Sequence, residues 1–518
     1  MTSNINLLGE KTRMTAFHHK PVFAVIAATS LLLFAGCTVG PKCRPPTAPA
    51  PVAPNYKEST VNFQDTEDWK VASPQDAALR GKWWEIFNEP DLNALEEELD
   101  INNQNIKEYF QNFMEARALV AEARSQYWPT VTVSPSWSRS QSSGNLTNST
   151  QANTGRISTL MSFPIDVSWT PDFWSKIRNQ VREYQYAAQV SAADLEVERL
   201  TEQASLAQYY FEIRGQDALQ KILNDTVAAD QKALDLTQGL YDAGIDDYIS
   251  VVQARTTLQS VQAAAINIGV ARAQYEHAIA VLLGKLATDF SLPVKPILTA
   301  PPPIPVGVPA QLLERRPDVA AAERTLAEAN AIIGIGYGAF FPTITLSASG
   351  GFESSSFQNW FTWPSRFWSI GPSISQTIFN GGLYRAELHQ YTATYNADLA
   401  AYRQTALAAF QQVEDYLAAV RIYSQEIQRE QEAVKSAEEY LNLEMVRYET
   451  GVDPYLYVIT AQTTILSDQE TLATLQIEQM VAAVNLIEAL GGGWDRSQLP
   501  TTSQVSKKPS AGDYKQQH

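Results

Sequence analysis

Few residues of this 518-residue chain have the types and spacing that chemistry requires. Cys37 and Cys43 are the two cysteines, so the sequence after them has neither a disulfide framework nor a cysteine metal site. His277, His389 and His518 lie far apart in the sequence and predict no zinc or catalytic cluster. No nucleophile is paired with a base. We therefore predict no enzyme and no cofactor.

Two motifs imitate chemical sites without the surroundings that such sites need. Residues 334–338, Gly-Ile-Gly-Tyr-Gly, precede a predicted strand rather than a helix, which is unlike a dinucleotide-binding loop. We expect these small residues to allow close helix packing. In the Arg-Arg-Pro-Asp segment at 315–318, proline and aspartate are typical of the first turn of a helix.

Cys37 is the residue for which the sequence predicts a covalent modification. A basic stretch precedes an apolar run over residues 22–34, and Ala-Gly comes directly before Cys37, which is the order of a secretory signal. The segment resembles a bacterial lipobox, which implies cleavage before Cys37 and a diacylglycerol on its thiol. Thr38 in place of aspartate then implies sorting to the outer membrane. An ordinary signal peptide with an incidental cysteine is the alternative.

The N-terminal region therefore divides into a signal peptide, residues 1–36, and a lipidated tether, residues 37–80, with proline and alanine frequent in its first part. Either Met1 or Met14 is the true start. We expect Cys43 to be a free thiol without a role.

The charge and hydropathy of the chain exclude two classes of protein. The formal net charge is −17 with a pI near 4.9, which argues against nucleic acid as a partner. The mean hydropathy is −0.22, and no apolar run after the N-terminus reaches the roughly 18 residues of a membrane-spanning helix. The chain is therefore not a bundle of membrane helices.

The rest of the chain contains an internal repeat of two similar halves. Residues 127–133 match 340–346, and residues 241–246 match 448–453. Such a long period indicates duplication of a domain-sized unit rather than a solenoid. We predict the following segments: repeat 1 at 81–298, a Pro-rich linker at 299–310, repeat 2 at 311–494 and a flexible tail at 495–518.

The sequence of each repeat predicts helices, a β-hairpin and a long helical hairpin. The β-hairpins fall at about 129–170 and 342–379, and their strands alternate apolar and small polar residues, as in Phe163, Ile165 and Val167. This alternation fits a membrane barrel, with apolar side chains toward lipid, and it also fits one face of a soluble sandwich.

The long helices and the small number of strands together indicate an assembly. Residues 383–450 contain neither proline nor glycine, and a helix of about 65 residues spans roughly 100 Å. Four strands cannot close a membrane barrel, for which about eight is the minimum. Three copies supply twelve strands and are the simplest closure, although four copies remain an alternative.

Four stretches, in order from Trp83 to Trp494, together resemble one known family. They are the Trp-Trp-x-x-Phe box at 83–87, the Arg-Arg-Pro-Asp segment at 315–318, the Phe-Asn-Gly-Gly corner at 379–382, and a C-terminal signature within 447–494. The chain is similar to the TolC-like outer-membrane factors, specifically the NodT-type efflux outer-membrane lipoproteins of RND (resistance–nodulation–division) pumps.

The resemblance implies a mainly α fold with β: a homotrimer whose twelve-stranded outer-membrane β-barrel, with four strands per chain, continues into a long periplasmic α-helical barrel. It implies outer-membrane lipid, a periplasmic adaptor protein and an inner-membrane RND-type transporter as partners. The residues expected at the periplasmic tip, in contact with the adaptor, are Gly244, Gly451, Asp246 and Asp453. Plain helix caps without a partner are the alternative.

The gate of this chain is expected to differ from that of the family. Relatives often narrow the tip with aspartates six or nine positions after the turn glycine, where this chain has Ser250, Gln253, Tyr457 and Thr460. Our gate candidates are Arg447, Tyr448, Tyr457 and Asp247, with the turn aspartates Asp246 and Asp453. We expect Arg447 to bond an acidic group of the copy-one turn, such as Asp246.

The function predicted from the sequence is that of the outer-membrane channel component of a tripartite efflux system, a passive exit duct for small toxic compounds. The chain is expected in the outer membrane, lipid-anchored and extending into the periplasm. A type I protein-secretion duct and a structural coiled-coil lipoprotein of the periplasm are the alternatives. The sequence names neither the cargo nor the adaptor and pump.

Overall fold

The structure is a computed structural model that describes residues 40–41, 56–58, 81–141, 143, 157–296, 299–307 and 309–508. The predicted signal peptide, with Met1 and Met14, lies outside the described residues, as do Cys37, Cys43 and most of the tether.

The described residues form helices and strands in the following order. Before the sheet come α1 (Pro90–Asn102) and α2 (Gln104–Ser125). The first strands are β1 (Thr130–Val133), β2 (Ser136–Gln141) and β3 (Ile157–Trp169), followed by α3 (Lys176–Asp242) and α4 (Tyr248–Leu282). Next come α5 (Pro309–Arg315), α6 (Pro317–Gly338), β4 (Thr343–Ser354), β5 (Arg366–Ser375), α7 (Leu383–Glu449), α8 (Tyr455–Ala489) and the short α9 (Thr502–Val505). Short 3-10 helices lie at Trp83–Phe87, Ala287–Asp289, Phe357–Asn359, Trp363–Ser365 and Arg496–Gln498.

The chain divides into two compact units. One contains residues 125–180 and 333–388 and carries the sheet. The other contains residues 42–124, 181–332 and 389–518, as far as these are described, and it is helical.

The sheet is antiparallel, in the order β1-β3-β4-β5, and β2 also pairs with β3. The described residues thus form five strands where we predicted four, because the first predicted strand is broken between Val133 and Ser136. Pro135 lies in the break and has no backbone N–H to donate to the ladder. Since β1 and β2 lie on the same side of β3, the sheet is still four strands wide.

The strand register gives the sheet one continuous apolar face. Val131 is opposite Val167, which is opposite Ala348, which is opposite Ile370. The adjacent row joins Val133, Ile165, Gly350 and Trp368 in the same way. The side chains of Trp368 and Ile370 are 80% and 76% exposed in the single chain.

The opposite face of the sheet is polar. Its rows contain Thr132, Asp166, Ser349 and Ser369 on neighbouring strands. The predicted alternation of apolar and small polar residues is therefore present in the strands of both hairpins, and it sorts the two kinds of side chain onto two faces.

The long helices have matched lengths. Both α3 and α7 contain 67 residues, and both α4 and α8 contain 35 residues. In the part of the chain that the structure describes, no helix combines the length and the apolar character needed to cross a membrane.

The helical unit has its main core where the predicted Trp-Trp-x-x-Phe box lies. Trp83 is fully buried, and its ring contacts those of Trp84 and Phe87 edge-on. The same cluster includes Leu206 of α3 and Val484 of α8. The N-terminal tryptophans therefore pack against the middle of α3 and the C-terminal part of α8.

The Arg-Arg-Pro-Asp segment joins three helices. The guanidinium of Arg316 donates to the carbonyl oxygen of Ala489 at the end of α8 (2.9 Å), to Gln412 of α7 (2.9 Å) and to Asp318 (2.7 Å). As predicted, Pro317 is the first residue of a helix and Asp318 lies in its first turn. The buried arginine thus has a packing role.

The Gly-Ile-Gly-Tyr-Gly motif lies at the end of α6, as expected for close packing. A Cβ atom at Gly334 would lie 2.4 Å from the side-chain amide nitrogen of Asn179 on α3. At Gly338 the added atom would lie 3.2 Å from Cβ of Lys176. These glycines let two helices of the sheet unit approach each other.

Candidate functional site: the turns between the long helices

The turn between α3 and α4 is built around Gly244. This residue has φ +73°, a left-handed conformation that glycine adopts without a steric penalty. The N–H of Gly244 donates to the carbonyl of Tyr241 (2.9 Å), and the N–H of Ile245 donates to that of Leu240 (2.9 Å). This pair of hydrogen bonds is a Schellman motif, which satisfies the last carbonyls of α3.

The turn between α7 and α8 repeats this geometry. Gly451 has φ +74°, and its N–H donates to the carbonyl of Tyr448 (2.9 Å). The N–H of Val452 donates to the carbonyl of Arg447 (2.8 Å). The two predicted turn glycines therefore have the same backbone role at the ends of two helices of equal length.

Asp246 connects the two turns. One carboxylate oxygen accepts hydrogen bonds from the N–H of Asp247 (2.7 Å) and the hydroxyl of Ser250 (3.1 Å), both at the start of α4. The other oxygen accepts a hydrogen bond from the hydroxyl of Tyr448, 2.7 Å away at the end of α7. One carboxylate thus links the start of α4 in one helical hairpin to the end of α7 in the other.

Tyr448 is buried between the helical hairpins. Its ring lies 5.1 Å from that of Tyr455, at an interplanar angle of 54°. Ala233, Ala254 and Val458 complete this small core, which we name the tip core. Burial, together with the hydrogen bond to Asp246, raises the pKa of Tyr448 to about 12. The phenol therefore remains a neutral donor at physiological pH.

Arg447 has a different partner from the one we predicted. Its Nε donates to the carboxylate of Asp453 in its own turn, and not to Asp246 in the described chain. The reason is local, because the left-handed glycine reverses the chain and brings Asp453 back beside the last turn of α7. The hydrogen bond from Arg447 lowers the pKa of Asp453 below its usual range.

The remaining gate candidates lie outside these two side-chain pairs. Asp247 is exposed and precedes the first residue of α4. Tyr457 is 48% exposed on the first turn of α8. The structure therefore brings together Arg447 with Asp453 and Tyr448 with Asp246, and it leaves Asp247 and Tyr457 at the surface.

A model of the outer membrane efflux protein family matches residues 95–285 and 308–492, which is most of the chain. The chain belongs to this family. It is an outer-membrane component of an efflux system, a class of transport proteins rather than enzymes.

Two relatives match this efflux protein over nearly its whole length. The solvent efflux pump outer membrane protein SrpC of Pseudomonas putida is 31% identical, and the match covers 93% of this chain and 99% of SrpC. The toluene efflux pump outer membrane protein TtgI, also of Pseudomonas putida, has the same identity and coverage. Among solved structures, the outer-membrane channel OprN is 27% identical with a TM-score of 0.79, covering 88% of this chain and 100% of that one.

Sequence reasoning missed several residues of this efflux protein at the turns. Ile245 and Val452 follow the two glycines and are 71% and 62% exposed. Ile249 and Leu456, in the first turns of α4 and α8, are also exposed. A signal was present in the sequence, because each pair is separated by the same 207 residues as Gly244 and Gly451 (451 − 244).

Proposed function

We propose that three copies of this chain form the passive exit duct of a tripartite RND-type efflux system. The observation that carries this proposal is the exposed apolar face of a sheet with two open edges. In lipid, unpaired edge N–H and C=O groups cost several kcal/mol each, so the sheet needs neighbours at β5 and at β1 and β2. Four strand positions in each of three copies give the twelve strands of a closed barrel.

The two turns are the proposed contact with a periplasmic adaptor. The conformation of the turns is held by Gly244, Gly451, Asp246 and Asp453. Exposed apolar side chains beside them supply a surface that a partner helix would cover: Ile245, Val452, Ile249 and Leu456. Tyr448 with Asp246 is the proposed closing contact, because it links the two turns. Arg447, which bonds Asp453 within one turn, remains a gate candidate. The driving force for transport comes from an inner-membrane transporter, since this family supplies the outer-membrane component.

Small toxic compounds are the proposed cargo. SrpC is named for solvent efflux, and TtgI for toluene efflux. Both relatives align with almost the whole of this chain, which supports a similar cargo class here.

A lipid on Cys37 is proposed as a second membrane contact. The apolar run and the Ala-Gly before Cys37 support cleavage of residues 1–36 as a signal peptide. The lipid on Cys37 would then help to hold the protein at the membrane. Replacement of Cys37 by serine is expected to abolish incorporation of a labelled palmitate analogue. Incorporation that persists in this variant would contradict the lipobox assignment.

We also propose that repeat 1 (81–298) and repeat 2 (311–494) arose by duplication. The equal lengths of α3 and α7, and of α4 and α8, support this proposal. The two Schellman turns, 207 residues apart, support it as well.

The test of the proposed function is assembly and conduction by the purified protein. In detergent, the full chain is expected to run as a heat-resistant trimer and to form discrete conducting channels in planar lipid bilayers. Deletion of its gene is expected to lower the tolerated concentration of toluene. A monomer without conductance would overturn the proposal and favour a structural periplasmic spacer, whereas a secretion defect with normal toluene tolerance would favour a type I duct.

A further inference from the structure

A cleft between α3, α4 and α8 contains a carboxylate that the turns do not use. Asp230 on α3 is 2% exposed, and among the described residues neither carboxylate oxygen has a hydrogen-bond partner. The cleft that it lines has a volume of about 370 Å³. An ionised carboxylate in such a place is unfavourable unless an opposite charge pairs with it.

The lining of the cleft is rich in hydrogen-bond acceptors and, among the described residues, contains no lysine or arginine. Glu470 of α8 contributes a second carboxylate. The hydroxyl of Thr256 donates to the carbonyl of Val252 in its own helix (2.8 Å), so its oxygen has only lone pairs left for a ligand. Val261 and Leu466 add apolar surface.

We propose that this cleft binds a small alkylammonium cation. The ammonium group pairs with Asp230, and the hydrocarbon part lies against Val261 and Leu466. A bare metal ion would leave the apolar surface of Val261 and Leu466 without a contact. Because Asp230 belongs to α3 and Glu470 to α8, the bound cation lies between the two helical hairpins. This inference goes beyond the proposed function and does not depend on it.

Protonation competes with the cation for Asp230. Burial raises the pKa of Asp230 to about 6 and also raises the pKa of Glu470. From α8, Glu470 lines the same cleft, and the charge of Asp230 acts on the phenol of Tyr455. Helix α4 places no titratable group in the described lining of the cleft. Burial, with the charge of Asp230 as a smaller cause, raises the pKa of Tyr455, which therefore stays neutral. Asp230 is therefore mostly ionised at pH 8 and mostly protonated at pH 5.

The binding test uses the full-length, assembled protein in detergent with n-butylammonium chloride as the probe. At pH 8, millimolar n-butylammonium is expected to raise the thermal midpoint by about 2 °C. Equal concentrations of sodium chloride or of neutral n-butanol are expected to leave it unchanged. In calorimetry, the affinity is expected to fall about tenfold between pH 8 and pH 5, as an acid with a pKa of about 6 becomes protonated.

Variants decide whether Asp230 is the site. Asp230→Asn is expected to remove the calorimetric signal and the thermal shift; since it removes a buried charge, it is expected to fold. The matched control is Asp225→Asn on the same helix. The exposed carboxylate of Asp225 pairs with Lys221 at 2.7 Å, and the Asp225→Asn variant should bind n-butylammonium like the unmodified protein. Binding that survives Asp230→Asn, or an equal shift with sodium chloride, overturns the proposal. Both readouts are independent of conduction, so failure here leaves the proposed function untouched.

Discussion

At the residue scale, the two turns are held by contacts of different kinds. Arg447 neutralises Asp453 within one turn, at an exposed position where an ion pair contributes little stability. Tyr448 reaches across to Asp246 from a buried position, where an unmade hydrogen bond is costly. The tyrosine is therefore the contact that couples the two helical hairpins.

Tyr448→Phe removes this hydroxyl and keeps the ring that packs against Tyr455. We expect the link between the turns to weaken by about 1 kcal/mol, the usual net value of such a hydrogen bond. In the proposed duct, single-channel conductance should rise. Tyr241→Phe is the control, because Tyr241 occupies the corresponding place at Gly244 and is 40% exposed. Equal conductance of Tyr448→Phe and the unmodified channel would argue against closure by this contact.

Gly491, just after α8, is predicted to be intolerant of any side chain. It has φ +96°, and a Cβ atom there would lie 2.0 Å from the carbonyl oxygen of Arg315. Gly491→Ala should lower the free energy of unfolding by at least about 2 kcal/mol. Gly269→Ala is the opposite case, since Gly269 lies inside α4 with open space around the added atom, and a gain of about 0.5–1 kcal/mol is expected. Thermal unfolding of both variants measures the contrast.

At the scale of helices, charge as well as shape governs the packing of α6 against its neighbours. Glu328 of α6 is partly buried, and its pKa is raised to about 7, first by burial and then by Glu183 of α3 and Asp398 of α7. A carboxyl whose pKa is higher in the folded than in the unfolded chain favours folding only while it is protonated. Its stabilising effect is complete below about pH 4.5 and is lost as the pH rises through 7.

Glu328→Gln should therefore raise the thermal midpoint at pH 8 and leave it nearly unchanged at pH 4.5. At pH 8 the free energy of unfolding is expected to rise by about 1 kcal/mol. This is less than the pKa shift alone would give, because water screens part of the charge. The control is Glu432→Gln, an exposed residue paired with Arg429, for which we expect little change at either pH. A pH-independent effect of Glu328→Gln would contradict this assignment.

At the scale of the whole molecule, the sheet is the part that a single chain leaves incomplete. Its apolar face is exposed and its edge strands have no second neighbour among the described residues. A soluble protein would cover such a face with another layer of its own structure. In the proposed duct, lipid would cover the apolar face and further copies would pair the edge strands.

Ile370 and Ser369 are adjacent in β5 and lie on the apolar and the polar face of the sheet, so they test which face meets lipid. Ile370→Arg places a charge on the apolar row and should cost about 2–4 kcal/mol in the middle of a bilayer, so we expect loss of the heat-resistant trimer from the outer-membrane fraction. Ser369→Arg places the same charge on the polar face and should be tolerated. Equal recovery of both variants would show that the apolar face does not meet lipid.

Features that depend on local chemistry could be predicted from the residues alone. Gly244 and Gly451 predicted the left-handed turns, because glycine adopts them without strain, and Pro317 with Asp318 predicted the start of a helix. The alternation around Ile165 predicted a strand with two unlike faces, since side chains of a strand point alternately to opposite sides.

The contacts between side chains that are distant in the sequence became known only from the fold. Arg447 and Tyr448 are neighbours in the sequence, yet one pairs within its own turn and the other with Asp246, about 200 residues away. The same holds for Asp230, which sequence patterns do not distinguish from the exposed Asp225 on the same helix. Partners and burial depend on how helices pack against each other, and a local pattern of residues carries no information about the element on the other side.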